Sequence, residues 1–239
     1  MNKHFDETDS DILMENLGQH ITKSSLVTEK LVISDEKEES ISTQFKRLDT
    51  WGFSFDMPPM AVITVDKNKI YYNGEVCSAG INTLIEKTRD LQESFKQVSI
   101  NNGIPLDSLY IELYITSPGG SVTEGFRYID YVEKNKIHIK TIAFGTVASM
   151  GFVLWLIGND RYIGKHSHIL IHQMSSGFQG KRSDILDYLK HLEDIQNDLM
   201  GYIAERTGYT IKKVEDLTGK ETWLTANEVV SLSMGKIWE

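Results

Sequence analysis

The chain reads as an α/β protein whose strands pair in parallel through crossover helices. Three observations predict this. From about residue 60 onward, short β-like runs alternate with segments of helical period. Arg182–Thr207 carries Ile185, Leu189, Leu192, Ile195, Leu199 and Ile203 at spacings of three and four, which makes a long amphipathic helix. The length of 239 residues, 40% hydrophobic and 25% charged, suits one globular domain with an arm.

The elements follow in order. Residues 61–65 and Lys69–Asn73 read as short strands around the turn-like Asp66-Lys67-Asn68. Ile81, Leu84, Ile85 and Leu91, with charges between them, predict a helix over 81–95. Ile111, Leu113 and Ile115 alternate with other residues and predict a strand over 110–116. Ser117-Pro118-Gly119-Gly120 then breaks the chain, and Val122, Phe126, Ile129 and Val132 predict a helix over 121–133. A strand over 141–144 precedes an apolar helix over 150–157, which is far short of the ~20 residues that span a bilayer. Residues 162–163 and 168–173 read as strands before the long helix.

Charge divides the chain. Residues 1–50 hold six Lys/Arg and eleven Asp/Glu, with scattered apolar residues and no Pro. Such a stretch buries little surface, so residues 1–55 are expected to be an acidic N-terminal arm, flexible or a propeptide, ahead of a domain over 56–239. The net charge of −9 opposes nucleic-acid binding, which wants a basic face. The first twenty residues lack the apolar core of a secretory signal, and a lone Cys77 forms no intrachain disulfide. Together these predict a cytoplasmic protein without a membrane span.

Three segments of the domain can carry chemistry. At 115–122 a strand ends, two glycines turn the chain and a helix begins. Its free N–H groups either stabilise an oxyanion or belong to a plain strand–turn–helix joint. Ser149, in Ala148-Ser149-Met150-Gly151, stands before an apolar helix among small neighbours. It is either a nucleophile or the helix N-cap. His172 closes the apolar run 169–171 and is either a general base or structural. His166 and His168 lie on the same short stretch without Cys or carboxylate companions, so no metal site is expected.

Taken in sequence, SPGGSV at 117–122, ASMG at 148–151, IHQ at 171–173, the long helix and TWLTA at 222–226 resemble ClpP, the proteolytic subunit of the Clp protease. The resemblance covers roughly residues 70–239. It implies the ClpP/crotonase-type fold of repeated β-β-α units with a protruding handle helix, here Arg182–Thr207. It implies a serine endopeptidase with Ser149 as nucleophile, His172 as base, and an oxyanion hole made by the N–H groups of Gly120 and Met150. The family's acid is an aspartate two residues before the aromatic of the TWLTA-like segment. Glu221 stands there, and a longer carboxylate can serve the same role. Gly119, Ser121, Val122, Gly177, Phe178 and Gln179 fall where the family holds its extended peptide substrate.

The resemblance further implies a homo-oligomer of two stacked heptameric rings, closed around a chamber and fed unfolded chains by an AAA+ unfoldase of the Clp type. ATP is used by that partner, since this chain has no P-loop and needs no cofactor of its own. Tyr114 keeps an aromatic at one position of the family's docking cleft, whereas Glu112 and Lys134 bring charge to two others. Two other readings differ in class. An inactive scaffold subunit is opposed by the intact Ser149 and His172, and a crotonase-like acyl-CoA enzyme by the lack of any CoA-binding cue.

Overall fold

The computed structural model describes residues 61–177, 179 and 181–239. The expected acidic arm therefore lies outside the described residues, as do Phe178 and Gly180.

In chain order come β1 (Val62–Asp66), β2 (Lys69–Asn73), α1 (Ser78–Asn102), a 3-10 turn (Leu106–Ser108), β3 (Ile111–Ser117) and α2 (Val122–Lys134). They are followed by β4 (Ile139–Ala148), α3 (Met150–Leu156), β5 (Asp160–Gly164), β6 (His168–Ile171) and α4 (Arg182–Thr207). The chain closes with α5 (Ile211–Thr218), β7 (Thr222–Thr225), α6 (Ala226–Ser231) and β8 (Lys236–Trp238).

The sheet runs β1-β2-β3-β4-β5-β8, with β6 and β7 on a side branch. The ladders β2/β3, β3/β4, β4/β5, β4/β6 and β5/β8 are parallel, as the alternation of strands and helices predicts. Among the described residues two ladders are antiparallel. A tight turn joins β1 to β2, and a turn that short reverses the chain. The second is β6/β7, whose strands are separated by two helices.

The fork in the sheet positions the chemistry. β4 is ten residues long and serves two neighbours: Lys140–Ala143 pair with β5, and Thr146–Ala148 pair with β6. Gly145 lies between the two halves at φ 78 and donates its N–H to the buried Ser167 hydroxyl at 2.9 Å. The second half of β4 runs straight into Ser149 and α3.

Every residue of α3 is buried, which is why its sequence is apolar on all sides. Trp155 is fully enclosed and donates its indole N–H to the Tyr162 carbonyl at 2.8 Å. The Arg206 guanidinium closes the C-terminal end of α3, donating to the carbonyls of Leu156, Ile157 and Gly158 at 2.9 Å each. These carbonyls have no partner inside the helix, and a cation there also meets the negative end of its dipole.

The boundaries depart from sequence expectation in two informative places. α1 extends from Ser78 to Asn102, well beyond 81–95, and stops at Gly103, whose φ of 66 suits only a residue tolerant of the left-handed region. β6 ends at Ile171 rather than Gln173, because its partner β7 begins at Thr222, opposite Ile171. His172 and Gln173 therefore leave the ladder. Among the described residues, no helix is long and apolar enough to cross a membrane.

Candidate active site

Ser149 joins β4 to α3 with φ 54 and ψ −124. A non-glycine residue in this conformation is strained by about 1–3 kcal/mol, and the surrounding structure must hold it there. Its N–H donates to the Leu170 carbonyl of β6 at 2.9 Å, and its carbonyl accepts from the Phe152 N–H at 3.0 Å. The backbone is thus pinned on both sides. Ser149 occupies the N-cap position, yet its side chain makes no capping hydrogen bond. The capping alternative fails, and the hydroxyl is not spent on the helix.

The glycine loop after β3 lies directly against this serine. A side chain at Gly119 (φ 101) would put its Cβ 2.5 Å from the Ser149 Cβ and 3.0 Å from its hydroxyl oxygen. A side chain at Gly120 (φ 141) would strike the Val76 backbone. Gly120 forms a parallel bridge with Val76: the Val76 N–H donates to the Gly119 carbonyl at 2.7 Å, and the Ser121 N–H donates to the Val76 carbonyl at 2.8 Å. In such a bridge the central residue's own N–H points away from the partner, so the Gly120 N–H is left for the opposite side. Met150 is the first residue of α3, and its N–H has no acceptor within the helix.

These groups share one small cleft of about 110 Å³. Gly120, Val122, Ser149, Met150 and His172 all line it, and Phe152, Leu199 and Ile203 supply an apolar flank. The cleft therefore gathers a hydroxyl, an imidazole and two backbone N–H donors, the parts needed for acyl transfer.

His172 is half-buried, with Nδ1 2.7 Å from the Gln173 carbonyl oxygen. A carbonyl only accepts, so Nδ1 is the donor in this contact, and in the neutral ring Nε2 is then the acceptor. Glu221 is exposed and does not line the cleft. It immediately precedes Thr222, which pairs with Ile171, so it occupies the register position facing His172. Among the described residues no hydrogen bond or ion pair joins the two.

The remaining expected residues divide. Ser121 accepts the Glu124 N–H at 3.3 Å and caps α2. Gly177 and Gln179 are exposed and do not line the cleft, and Phe178 lies outside the described residues. The sequence reading missed Gly125: its lack of a side chain leaves a notch on α2 that the Met150 side chain fills. A glycine on the core-facing side of a predicted helix was the available signal. The reading also missed Ser117, a fully buried hydroxyl at the end of β3.

A family model described as Clp protease matches residues 106–234. Among curated proteins, the chain is similar to ATP-dependent Clp protease proteolytic subunit 2 of Tropheryma whipplei (strain Twist), with 36% identity over 137 residues, which cover 56% of this chain and 75% of the relative. The matched segment runs from the turn before β3 to Met234, just past α6, and so includes every residue that lines the cleft. With its α/β fold of the ClpP type, the chain belongs to the Clp protease family, a family of peptidases.

Proposed function

We propose that this chain is a serine endopeptidase that cleaves unfolded polypeptides through Ser149, His172 and Glu221. One observation carries the reading: Ser149 is strained, its hydroxyl is not used for capping, and it shares a cleft with His172 and Gly120. Nε2 of His172 takes the Ser149 proton as the oxygen attacks the scissile carbonyl, and later gives it to the leaving amine. The N–H groups of Gly120 and Met150 donate to the oxyanion of the tetrahedral intermediate. Glu221 accepts the Nδ1–H bond and stabilises the imidazolium, which requires Nδ1 to leave the Gln173 carbonyl. Phe152, Leu199 and Ile203 favour an apolar substrate side chain beside the reacting carbonyl.

The peptide runs between the loop of Gly119, Ser121 and Val122 and the stretch of Gly177, Phe178 and Gln179, held by main-chain hydrogen bonds that tolerate many sequences. Protomers assemble through α4 into two stacked heptameric rings, in the cytoplasm. A Clp-type AAA+ unfoldase consumes ATP to deliver substrate, and this chain holds no cofactor.

The test is labelling by a fluorophosphonate probe together with hydrolysis of a fluorogenic peptide. Wild type is expected to label at Ser149 and to hydrolyse the peptide, and Ser149→Ala to do neither. An assembled wild-type particle that neither labels nor hydrolyses would favour the scaffold reading, toward which the lack of a hydrogen bond between Glu221 and His172 among the described residues points.

A further inference from the structure

Ser117 ends β3 with 0% of its surface exposed. A buried hydroxyl is costly unless it is hydrogen-bonded. Here the oxygen accepts the N–H of Gly119 at 3.1 Å, across Pro118, which has no N–H of its own. The bond fixes the first amide of the glycine pair, one peptide before the Gly120 N–H.

The same side chain also meets the helix that carries Met150. A Cβ built on Gly151 would come 2.8 Å from the Ser117 Cβ and 3.2 Å from its hydroxyl oxygen. Gly151 is therefore glycine where the first turn of α3 rests on Ser117. The β3/β4 register changes at the same point: Ile115 pairs with Ala143, and Ser117 with Val147. Two residues on β3 thus oppose four on β4, and this offset brings Ser117 level with the approach to Ser149.

Ser117 thus touches both elements that bear the oxyanion donors, the loop of Gly120 and the helix of Met150. We propose that Ser117 is a positioning residue for the oxyanion hole, its hydroxyl oxygen holding the Gly119 amide so that the Gly120 and Met150 N–H groups converge on one point beside Ser149. The inference rests on the serine-peptidase reading above. It needs no contact between Ser117 and substrate.

Ser117→Ala keeps the Cβ that packs on Gly151 and removes the hydroxyl, the acceptor of the Gly119 N–H. The assembled protein is assayed with a fluorogenic peptide, with a peptide aldehyde and with the cleaved product peptide. The aldehyde forms a tetrahedral adduct on Ser149 whose oxygen needs the hole, whereas the product peptide, used with its terminal carboxylate reduced to an alcohol, presents no anion to it. For Ser117→Ala, kcat is expected to fall on the order of tenfold to a hundredfold, because the donors are displaced rather than deleted. KM and product affinity should stay within about twofold, and aldehyde affinity should fall in proportion to kcat/KM. Ser117→Thr retains the acceptor and should keep the wild-type ratio of aldehyde to product affinity, even if its extra methyl lowers stability.

Unchanged kcat and aldehyde affinity in Ser117→Ala would overturn the proposal. So would equal weakening of aldehyde and product, or loss of the ratio in a folded Ser117→Thr protein if Ser117→Ala fails to fold. Wild-type protein that neither hydrolyses the peptide nor labels at Ser149 would instead overturn the peptidase reading, and this inference with it.

Discussion

His172 and Glu221 occupy facing positions one step beyond the last rung of the β6/β7 ladder, where Ile171 pairs with Thr222. Facing residues within a ladder hold their Cβ atoms about 4.5–5.5 Å apart, and these two lie one step outside it. A glutamate there can reach an imidazole once its side chain turns inward. In the present arrangement Nδ1 instead bonds the Gln173 carbonyl at 2.7 Å. In the proposed mechanism the two acceptors compete for one proton, and a carboxylate would in addition stabilise a charged ring.

Glu221→Ala is therefore expected to lower kcat by about 10²–10⁴, with the Gln173 carbonyl preserving the tautomer but not stabilising the imidazolium. Glu221→Asp should stay within about tenfold of wild type, since the facing position is unchanged and the side chain is one methylene shorter. Steady-state hydrolysis of a fluorogenic peptide measures both. Equal kcat for wild type and Glu221→Ala would remove Glu221 from the mechanism.

The strain at Ser149 separates stability from activity. Ser149→Gly gives the φ of 54 to a residue that adopts it freely, whereas Ser149→Ala keeps the strain. Both variants are expected to be inactive. In urea, Ser149→Gly should be more stable than Ser149→Ala by about 1 kcal/mol, after the flexibility that glycine adds to the unfolded chain. An alanine variant as stable as the glycine variant would mean that the elbow holds no strain.

Much of this site was legible in the sequence, and the reason differs by residue. The helix Arg182–Thr207 agrees with its expected bounds because six apolar residues mark its period and Gly208, at φ 73, ends it. The strand–turn–helix joints at Gly119-Gly120 and at Ser149 were visible because small residues cluster where backbones pass close together. After Gly208 the signal fails: α5, β7, α6 and β8 are three to eight residues long, too short for periodicity to show. β7 exists because β6 offers it a ladder, a tertiary fact. Thr225 and Glu228 do form a capping box at the start of α6, a local motif that spacing alone could have revealed. Ser117 was hidden because nothing in its sequence says that its hydroxyl is buried.

Arg206 is expected to matter for stability rather than chemistry. It donates to three carbonyls at the C-terminal end of α3, the helix whose other end begins at Ser149. Burial and the neighbouring Arg206 charge depress the pKa of Arg161, which donates to the same Leu156 carbonyl at 3.4 Å. Arg206→Ala leaves the Ile157 and Gly158 acceptors without this donor and should destabilise the fold by about 2–4 kcal/mol. Arg206→Lys, with no planar fork, should recover less than half of that. Urea unfolding followed by tryptophan fluorescence reports the change through the enclosed Trp155. A loss below about 0.5 kcal/mol for Arg206→Ala would show that water satisfies these carbonyls.

The handle helix α4 is expected to carry the contact between rings. Its buried residues, Leu199, Tyr202 and Ile203, all lie in its C-terminal half. In the N-terminal half, Leu186 and Leu189 are 51% and 54% exposed, three residues apart on one face. Leucines left in water on a long helix forgo about 1.5–3 kcal/mol each of burial, which a second ring can supply. A Leu186→Glu/Leu189→Glu variant should therefore leave the protomer folded, because neither side chain belongs to its core, yet sediment at half the mass of the wild-type particle. Its peptidase activity should fall at least tenfold, because this helix begins only ten residues after His172 in the chain. Sedimentation velocity and peptide hydrolysis on the same preparation test both consequences. A variant particle of wild-type mass would move the interface elsewhere on the molecule.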